Sequence, residues 1–419
     1  MRSRTPYVGW LVSEAVSLTG TRVSMIAIPW LVLSTTGSAT RTGLVAFAQM
    51  APYVLSKIAG GPLLDRVGAR RVSLAADGTS AVAVAAIPLL HALGALHLPL
   101  LLTLVAAVGG VRGPGDAAKQ ALIPALVAHA GIATEQATGL GGAVERLAAT
   151  LGAAAAGVLV AAVGAAPAIL VDAASFAVSA LVLGATTRGL PRPAPPPRTG
   201  YVRELQEGWS FLRHDGVLVG IVVMVAVTNL LDQAWTAVLV PVWARETGGG
   251  TSAIGLLFGV SAAAALAGSL VAAAWAARLP RFTTYVVGFL LAGGPRFLVL
   301  ALHAPLAVVL GVAVVGGFAS GFLNPILGAV IFERIPAPLV GRVSSLNTAL
   351  CWSLIPFGGL LGGGLVALAG LSPALLVVGA AYLAATMLPA VRPSFRELDR
   401  RPAETGVEVP PAARHASTR

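Results

Sequence analysis

Charge is scarce in this chain and cysteine is nearly absent. Asp, Glu, Lys and Arg make up 11% of the 419 residues, where a soluble domain carries about 25%. That balance excludes a soluble enzyme, a disordered polar chain and a fibrous repeat. The single cysteine, Cys351, leaves no disulfide framework and no cysteine-cluster metal site. His91, His97 and His303 are scattered without metal-ligand spacing, so no metal is expected. The chain also lacks a phosphate-cradling glycine loop, and neither ATP hydrolysis nor an organic cofactor is expected. The net charge of +11 falls in short clusters between apolar runs. A nucleic-acid binder would gather it on one basic face, so that partner is excluded. Lysine is rare too, two residues against 26 arginines, and with abundant Ala and Gly this points to a GC-rich bacterial genome.

What is present is oil. Hydrophobic residues are 56% of the chain, and mean hydropathy is +0.85. A helix needs about 20 apolar residues to cross the hydrocarbon layer. Twelve stretches qualify: 8–33, 43–63, 72–92, 98–118, 136–162, 167–187, 217–244, 251–277, 283–302, 305–330, 343–369 and 373–391. The expected fold is an all-α membrane protein with twelve transmembrane helices in two six-helix bundles. Residues 1–187 form the first bundle, 188–216 a central loop, 217–391 the second bundle and 392–419 a polar, disordered tail. Loops on the N-terminal side carry 21 of the 28 Lys and Arg, and the opposite loops carry two, Arg41 and Arg245. The positive-inside rule then places both termini and the central loop in the cytoplasm, beneath a plasma (inner) membrane. A monomer in the lipid bilayer is expected.

The central loop opens with five prolines between Pro191 and Pro197, a stiff spacer. Val202 to Arg213 then reads as a short amphipathic helix with Leu205, Trp209 and Leu212 on one face, suited to the membrane surface. An internal repeat spans this loop. Ser17-Leu18 lies twelve residues before Pro29, and Asn229-Leu230 twelve before Pro241, an offset of 212. Helices five and eleven end with glycines seven apart, Gly157/Gly164 and Gly363/Gly370. Two halves with the same orientation in the membrane are implied.

Gly61-Pro-Leu-Leu-Asp-Arg-Val-Gly-Ala-Arg-Arg71 fits G-x-L-x-D-R-x-G-x-R-R between helices two and three. In a twelve-helix chain split six and six, that string resembles the major facilitator superfamily. Ile169-Leu-Val-Asp-Ala-Ala-Ser-Phe176, Arg203-Glu-Leu-Gln-Glu-Gly208 and Gly341-Arg-Val343 are similar to its macrolide-efflux and enterobactin-exporter branch. The resemblance implies that Gly61, Asp65, Arg66, Gly68, Arg70 and Arg71 form a cytoplasmic gate. In it the Asp65 carboxylate would sit at the N-terminus of helix eleven near Gly341, where a helix dipole favours an anion. The alternative is that these arginines only set topology. The chain departs from the family's helix-five pattern G-P-x-x-G-G, reading Gly152-Ala-Ala-Ala-Ala-Gly157, and has Thr21 where an acid often follows the first-helix glycine.

Ionisable groups within the membrane need a partner, a wet cavity or a neutral form. Glu14, Glu145 and Asp232 are the candidates for proton coupling, with Asp232 placed first. The competing reading makes each a static pair with Arg22, Arg112 or Arg146. Asp77 and Asp172 fall near helix ends within reach of water or a turn, and Asp116 is spaced to pair with Arg112. Ser17 and Thr21 on helix one, and Asn229, Gln233 and Thr236 on helix seven, form polar stripes at repeat-related places. They point to an aqueous cavity that Trp235, Asn347, Cys351 and Trp352 also line, or else serve as packing and polar glue between helices. Trp10, Trp30, Trp243 and Trp275 fall near helix ends as interface anchors.

These readings converge on a secondary active transporter working by alternating access, and the family resemblance implies that it exports a small amphipathic molecule, such as a drug, antibiotic or siderophore, against protons. A facilitative importer or lipid transporter, and a non-transporting membrane receptor or scaffold, are the rivals.

Overall fold

The computed structural model describes residues 4–190, 201–275, 279–335, 339–391 and Phe395. The proline spacer and the tail beyond Phe395 lie outside them. Helices account for nearly all of the described chain. In the first half they are α1 (Thr5–Thr36), α2 (Ala39–Ala59), α3 (Gly61–Val67), α4 (Ala69–Ala92), α5 (Leu98–Ala121), α6 (Ile123–Ala130), α7 (Thr134–Val163) and α8 (Ala165–Thr186). The linker contributes α9 (Tyr201–Leu212). The second half holds α10 (Gly216–Ala234), a π-helical turn Trp235–Leu239, α11 (Val240–Glu246), α12 (Gly250–Trp275), α13 (Arg281–Ala292), α14 (Gly294–Ala301), α15 (Leu306–Arg334), α16 (Val340–Trp352), α17 (Ile355–Ala369) and α18 (Leu371–Val391).

Ten of these helical stretches are long and apolar enough to cross a membrane, some formed by two consecutive helices. The shorter apolar stretch Leu371–Met387 of α18 is a further candidate, and the 21-residue α2 lies where the second expected crossing falls. Outward-facing residues such as Val82, Leu181 and Leu368 are strongly exposed, as lipid-facing positions must be.

Each half packs on itself, through α1–α8, α2–α5 and α4–α8 in the first and α12–α15, α10–α17 and α14–α18 in the second. Between halves the main contacts are α2–α17 and α7–α12, which are exchanged by the internal repeat. Here the glycines noted in the sequence take on meaning. Gly164 and Gly370 turn α7 into α8 and α17 into α18 at φ +86° and +84°, angles that L side chains rarely adopt. Seven residues earlier, Gly157 meets Gly255 of α12, and Gly363 meets Ala39 and Thr40 of α2. Gly43 and Gly359 likewise bring the α2 and α17 backbones together. All these approaches lie at the end of the molecule that carries the α1–α2, α7–α8 and α17–α18 turns. The opposite end carries α3 and α9.

Three expectations need correction. The amphipathic helix α9 does not simply lie on a lipid surface: Leu212 is buried with Leu218, Val222, Val343 and Leu346 of α10 and α16, while Trp209 is 49% exposed. Asp215 reinforces this docking, capping α10 at the Val217 and Leu218 amides and accepting a bond from Arg334 Nε at 2.8 Å. The Leu205 side chain lies outside the described residues. Trp10 and Trp243 are buried core residues, not interface anchors; Trp10 Nε1 donates to the Lys119 carbonyl at 3.1 Å. Lys119, assigned to a loop, sits inside α5 and is buried.

Candidate functional site

The second-loop motif forms α3 and the start of α4, with Gly68 between them. Arg70 reaches α8, donating from Nη2 to the Gly184 carbonyl at 2.8 Å and from Nε to Thr187 Oγ1 at 3.0 Å. Arg66 and Arg71 are exposed. The Asp65 side chain, and the surroundings of Gly61 and Gly341, lie outside what the structure describes, so the expected gate contact is not tested.

In the first half the charges form one connected region. Asp116 is 3.8 Å from Arg112, the spacing-based pair, and also accepts a bond from Tyr53 Oη at 3.0 Å. Lys57 Nζ donates to that same Tyr53 oxygen at 3.3 Å and lies 4.1 Å from the centre of the Trp352 ring on α16. Tyr53 and Trp352 stack at 6.1 Å, so this cluster joins the two halves. Glu145 is exposed and lies within electrostatic range of Arg22, Tyr53 and Lys57. Arg146 crosses to Ser269 of α12 at 3.3 Å. Glu14 is half-buried and has no ion-pair partner among the described residues, with Lys119, Asp116, Asp77 and Arg112 around it.

The acids expected at helix ends are in fact interior. Asp77 is 5% exposed and lies 3.1 Å from Lys119 Nζ; Asp172 is 2% exposed and accepts from Ser175 Oγ at 3.3 Å. Neither depends on water at a terminus.

The second half is organised around Asp232 at the end of α10. Its Oδ1 accepts a bond from Arg296 Nη2, so its partner is Arg296 rather than Arg22, Arg112 or Arg146. The Arg296 guanidinium lies 4.7 Å from the Phe297 ring centre, 4.8 Å from Tyr382 and 5.1 Å from Trp235. Cation–π attraction to three faces helps offset the desolvation of a charge inside the membrane. Asp232 retains 40% exposure of its side chain. The π-turn beginning at Trp235 directly follows this pair, and such turns recur at functional sites.

The remaining cavity candidates divide. Trp235 and Thr236 border a partly open pocket with Asp232, while Ser17 is buried and Thr21 turns its hydroxyl to the Ser17 carbonyl. Asn229 donates to the Cys351 carbonyl at 2.9 Å and ties α10 to α16, which is the polar-glue role. Asn347 Oδ1 is buried without a partner among the described residues. Gln233 is half-buried against Gly358. Sequence reasoning placed Lys57 and Arg296 inside apolar stretches without giving them a site role, and passed over Tyr53, Lys119 and Tyr382. The Gly293-Gly294-Pro295 interruption beside Arg296 was a further local signal, because it breaks α13 from α14.

Fold and charges together define a membrane transporter of two repeated bundles. The profile of the Major Facilitator Superfamily matches residues 10–233 and 222–416. The chain belongs to that superfamily. It is 32% identical over 408 residues to the multidrug efflux pump Tap of Mycobacterium tuberculosis (strain ATCC 25618 / H37Rv), covering 96% of each chain. To Tap of Mycolicibacterium fortuitum it is 28% identical over 404 residues, covering 94% of this chain and 98% of the relative. The fold is similar to the crystal structure of the nucleoside transporter NupG, with a TM-score of 0.72 at 12% identity over 94% of this chain and 99% of that one.

Proposed function

We propose that this protein is a proton-coupled efflux transporter that carries small amphipathic compounds out of a bacterial cell, acting as a monomer in the plasma membrane. Similarity to multidrug efflux pumps along 96% of the chain carries this reading. The arginine distribution supports an orientation with both termini in the cytoplasm. In that orientation the glycine-mediated closure between α2 and α17, and between α7 and α12, lies on the outer side.

Coupling is assigned to Asp232 first, then Glu145 and Glu14. Protonating Asp232 weakens its hold on Arg296 and frees two bundles to rock about that centre; releasing the proton restores the pair. The motif around Asp65 and Arg70 gates the cytoplasmic side.

Reconstituted vesicles with an imposed pH gradient test the reading, using ethidium as the probe. Uphill ethidium movement should stop when the gradient is collapsed. Asp232→Asn should lose uphill transport at least tenfold while retaining exchange without a gradient. Flux indifferent to the gradient in the unaltered protein would overturn proton coupling and favour a facilitative carrier.

A further inference from the structure

Two opposite charges in the first half stand near each other without joining. Arg22 of α1 and Glu145 of α7 lie on helices packed against each other, and Glu145 is the charge that acts most strongly on Arg22. No ion pair links them among the described residues. The Arg22 guanidinium instead meets the Met25 sulfur, 3.7 Å from Nη1, a weak acceptor in an exposed contact. Glu145 is exposed, and its carboxylate accepts no hydrogen bond among the described residues.

Gly152 explains where Arg22 lies. A Cβ on this α7 glycine would stand 3.1 Å from Arg22 Cγ and 3.2 Å from its Cβ, so the arginine stem rests on the space a side chain would take. Glu145 is seven residues earlier on the same face of α7, about 10 Å nearer the start of the helix. α1 and α7 run the same way, and long side chains lean toward the start of their helix, which directs Arg22 toward the level of Glu145. The space they share lies between the halves. Tyr53 and Lys57 of α2 feel the Glu145 charge, and Trp352 of α16 meets both of them from the second half. Met25, 41% exposed, adds an apolar surface beside Arg22.

An ionisable group inside the membrane faces a wet cavity, pairs with a neighbour or marks a substrate path. Here two such groups of opposite sign, both open and neither closely paired, are within reach of one molecule. We infer that Arg22 and Glu145 form a two-point site for an amphipathic zwitterion, with Arg22 taking its acidic group and Glu145 its basic group. The guanidinium can meet a carboxylate with two parallel N–H donors, and Glu145 can accept from an ammonium. A ligand with a single charge leaves one pole unanswered and gains less. A cation such as ethidium engages only the Glu145 end. This rests on the efflux reading and names the class of cargo that the first half recognises.

Tritiated 6-aminomethyl-2-naphthoate carries both charges; its methyl ester carries only the cation and its N-acetyl derivative only the anion. Binding of each is measured on the full chain in lipid nanodiscs against empty nanodiscs. The zwitterion should bind at least tenfold more tightly than either analogue. Arg22→Gln should erase its advantage over the ester while the ester binds as before. Glu145→Gln should erase its advantage over the N-acetyl acid while that acid binds at least as well as before. Equal affinities for the three probes on the unaltered protein, or an advantage that survives either substitution, would overturn the two-point site. If that happens while gradient-driven ethidium efflux persists, the site fails alone. Zwitterion binding as described without any gradient-driven efflux would instead sink the transport reading.

Discussion

Lys119 Nζ lies 3.1 Å from Asp77 Oδ2, and both side chains are almost sealed from solvent. Ser179 completes the arrangement: its hydroxyl donates to Asp77 at 2.6 Å and accepts from Lys119 at 3.2 Å, with Ser13 Oγ 2.6 Å away. One donor and two acceptor sites on a serine are thereby all used, and α1, α4, α5 and α8 are joined. Removing one partner leaves an uncompensated interior charge, a loss of about 3–5 kcal/mol. Lys119→Met should therefore lower the midpoint of thermal unfolding sharply in detergent. Lys119→Met with Asp77→Leu should recover most of it. An unchanged midpoint in the single variant would refute the role.

Gly157 predicts a conformational effect. A Cβ there would stand 2.4 Å from Gly255 Cα and 2.7 Å from the Thr251 carbonyl, both backbone atoms that cannot rotate aside. Gly157→Val should hold the halves apart at the turn end without harming either bundle. A cysteine placed at Thr251, a buried position, should then react with a membrane-impermeant maleimide at least tenfold faster than in the parent. No change in rate would show that the closure does not depend on this approach.

The Lys57–Trp352 contact predicts a shift in population. Cation–π attraction of about 0.5–2 kcal/mol links α2 to α16 in this conformation. Trp352→Leu keeps an apolar side chain and removes the ring. It should reduce the share of this conformation relative to its opposite about two- to thirtyfold, read by spin-label distances between the halves. Lys57→Met should reproduce the shift, and a shift in only one of the two variants would break the assignment.

Much of this architecture was legible because membranes impose length and composition on each crossing. Ten apolar spans and a shorter apolar helix fall where the expected stretches lie, and the paired glycines Gly157/Gly164 and Gly363/Gly370 take matched places. The spacing-based pair of Arg112 with Asp116 was legible too, but the long-range pairings were not. Asp232 and Arg296 are 64 residues apart, and Asp77 and Lys119 are 42 apart, so only tertiary packing brings them together. In helices apolar on nearly every face, the usual contrast between wet and dry sides is too weak to show which way a charge points. Lys119 was misplaced for that reason: it ends an apolar run, and its rotation toward Asp77 left no local mark. The α9 surface was legible as amphipathic and was assigned to the membrane surface, because nothing local marks the packing of Leu212 against α10 and α16.

The π-turn at Trp235–Leu239 alters how the repeat can be used. Ser17 to Pro29 and Asn229 to Pro241 count the same number of residues, yet one of the two segments winds wider by about a residue, or about 100° of phase. Beyond Leu239, partners by numbering therefore cease to be partners in azimuth. Swapping side chains between α1 and α11 by simple alignment would point them at different neighbours, whereas exchanges made before the turn keep their bearing.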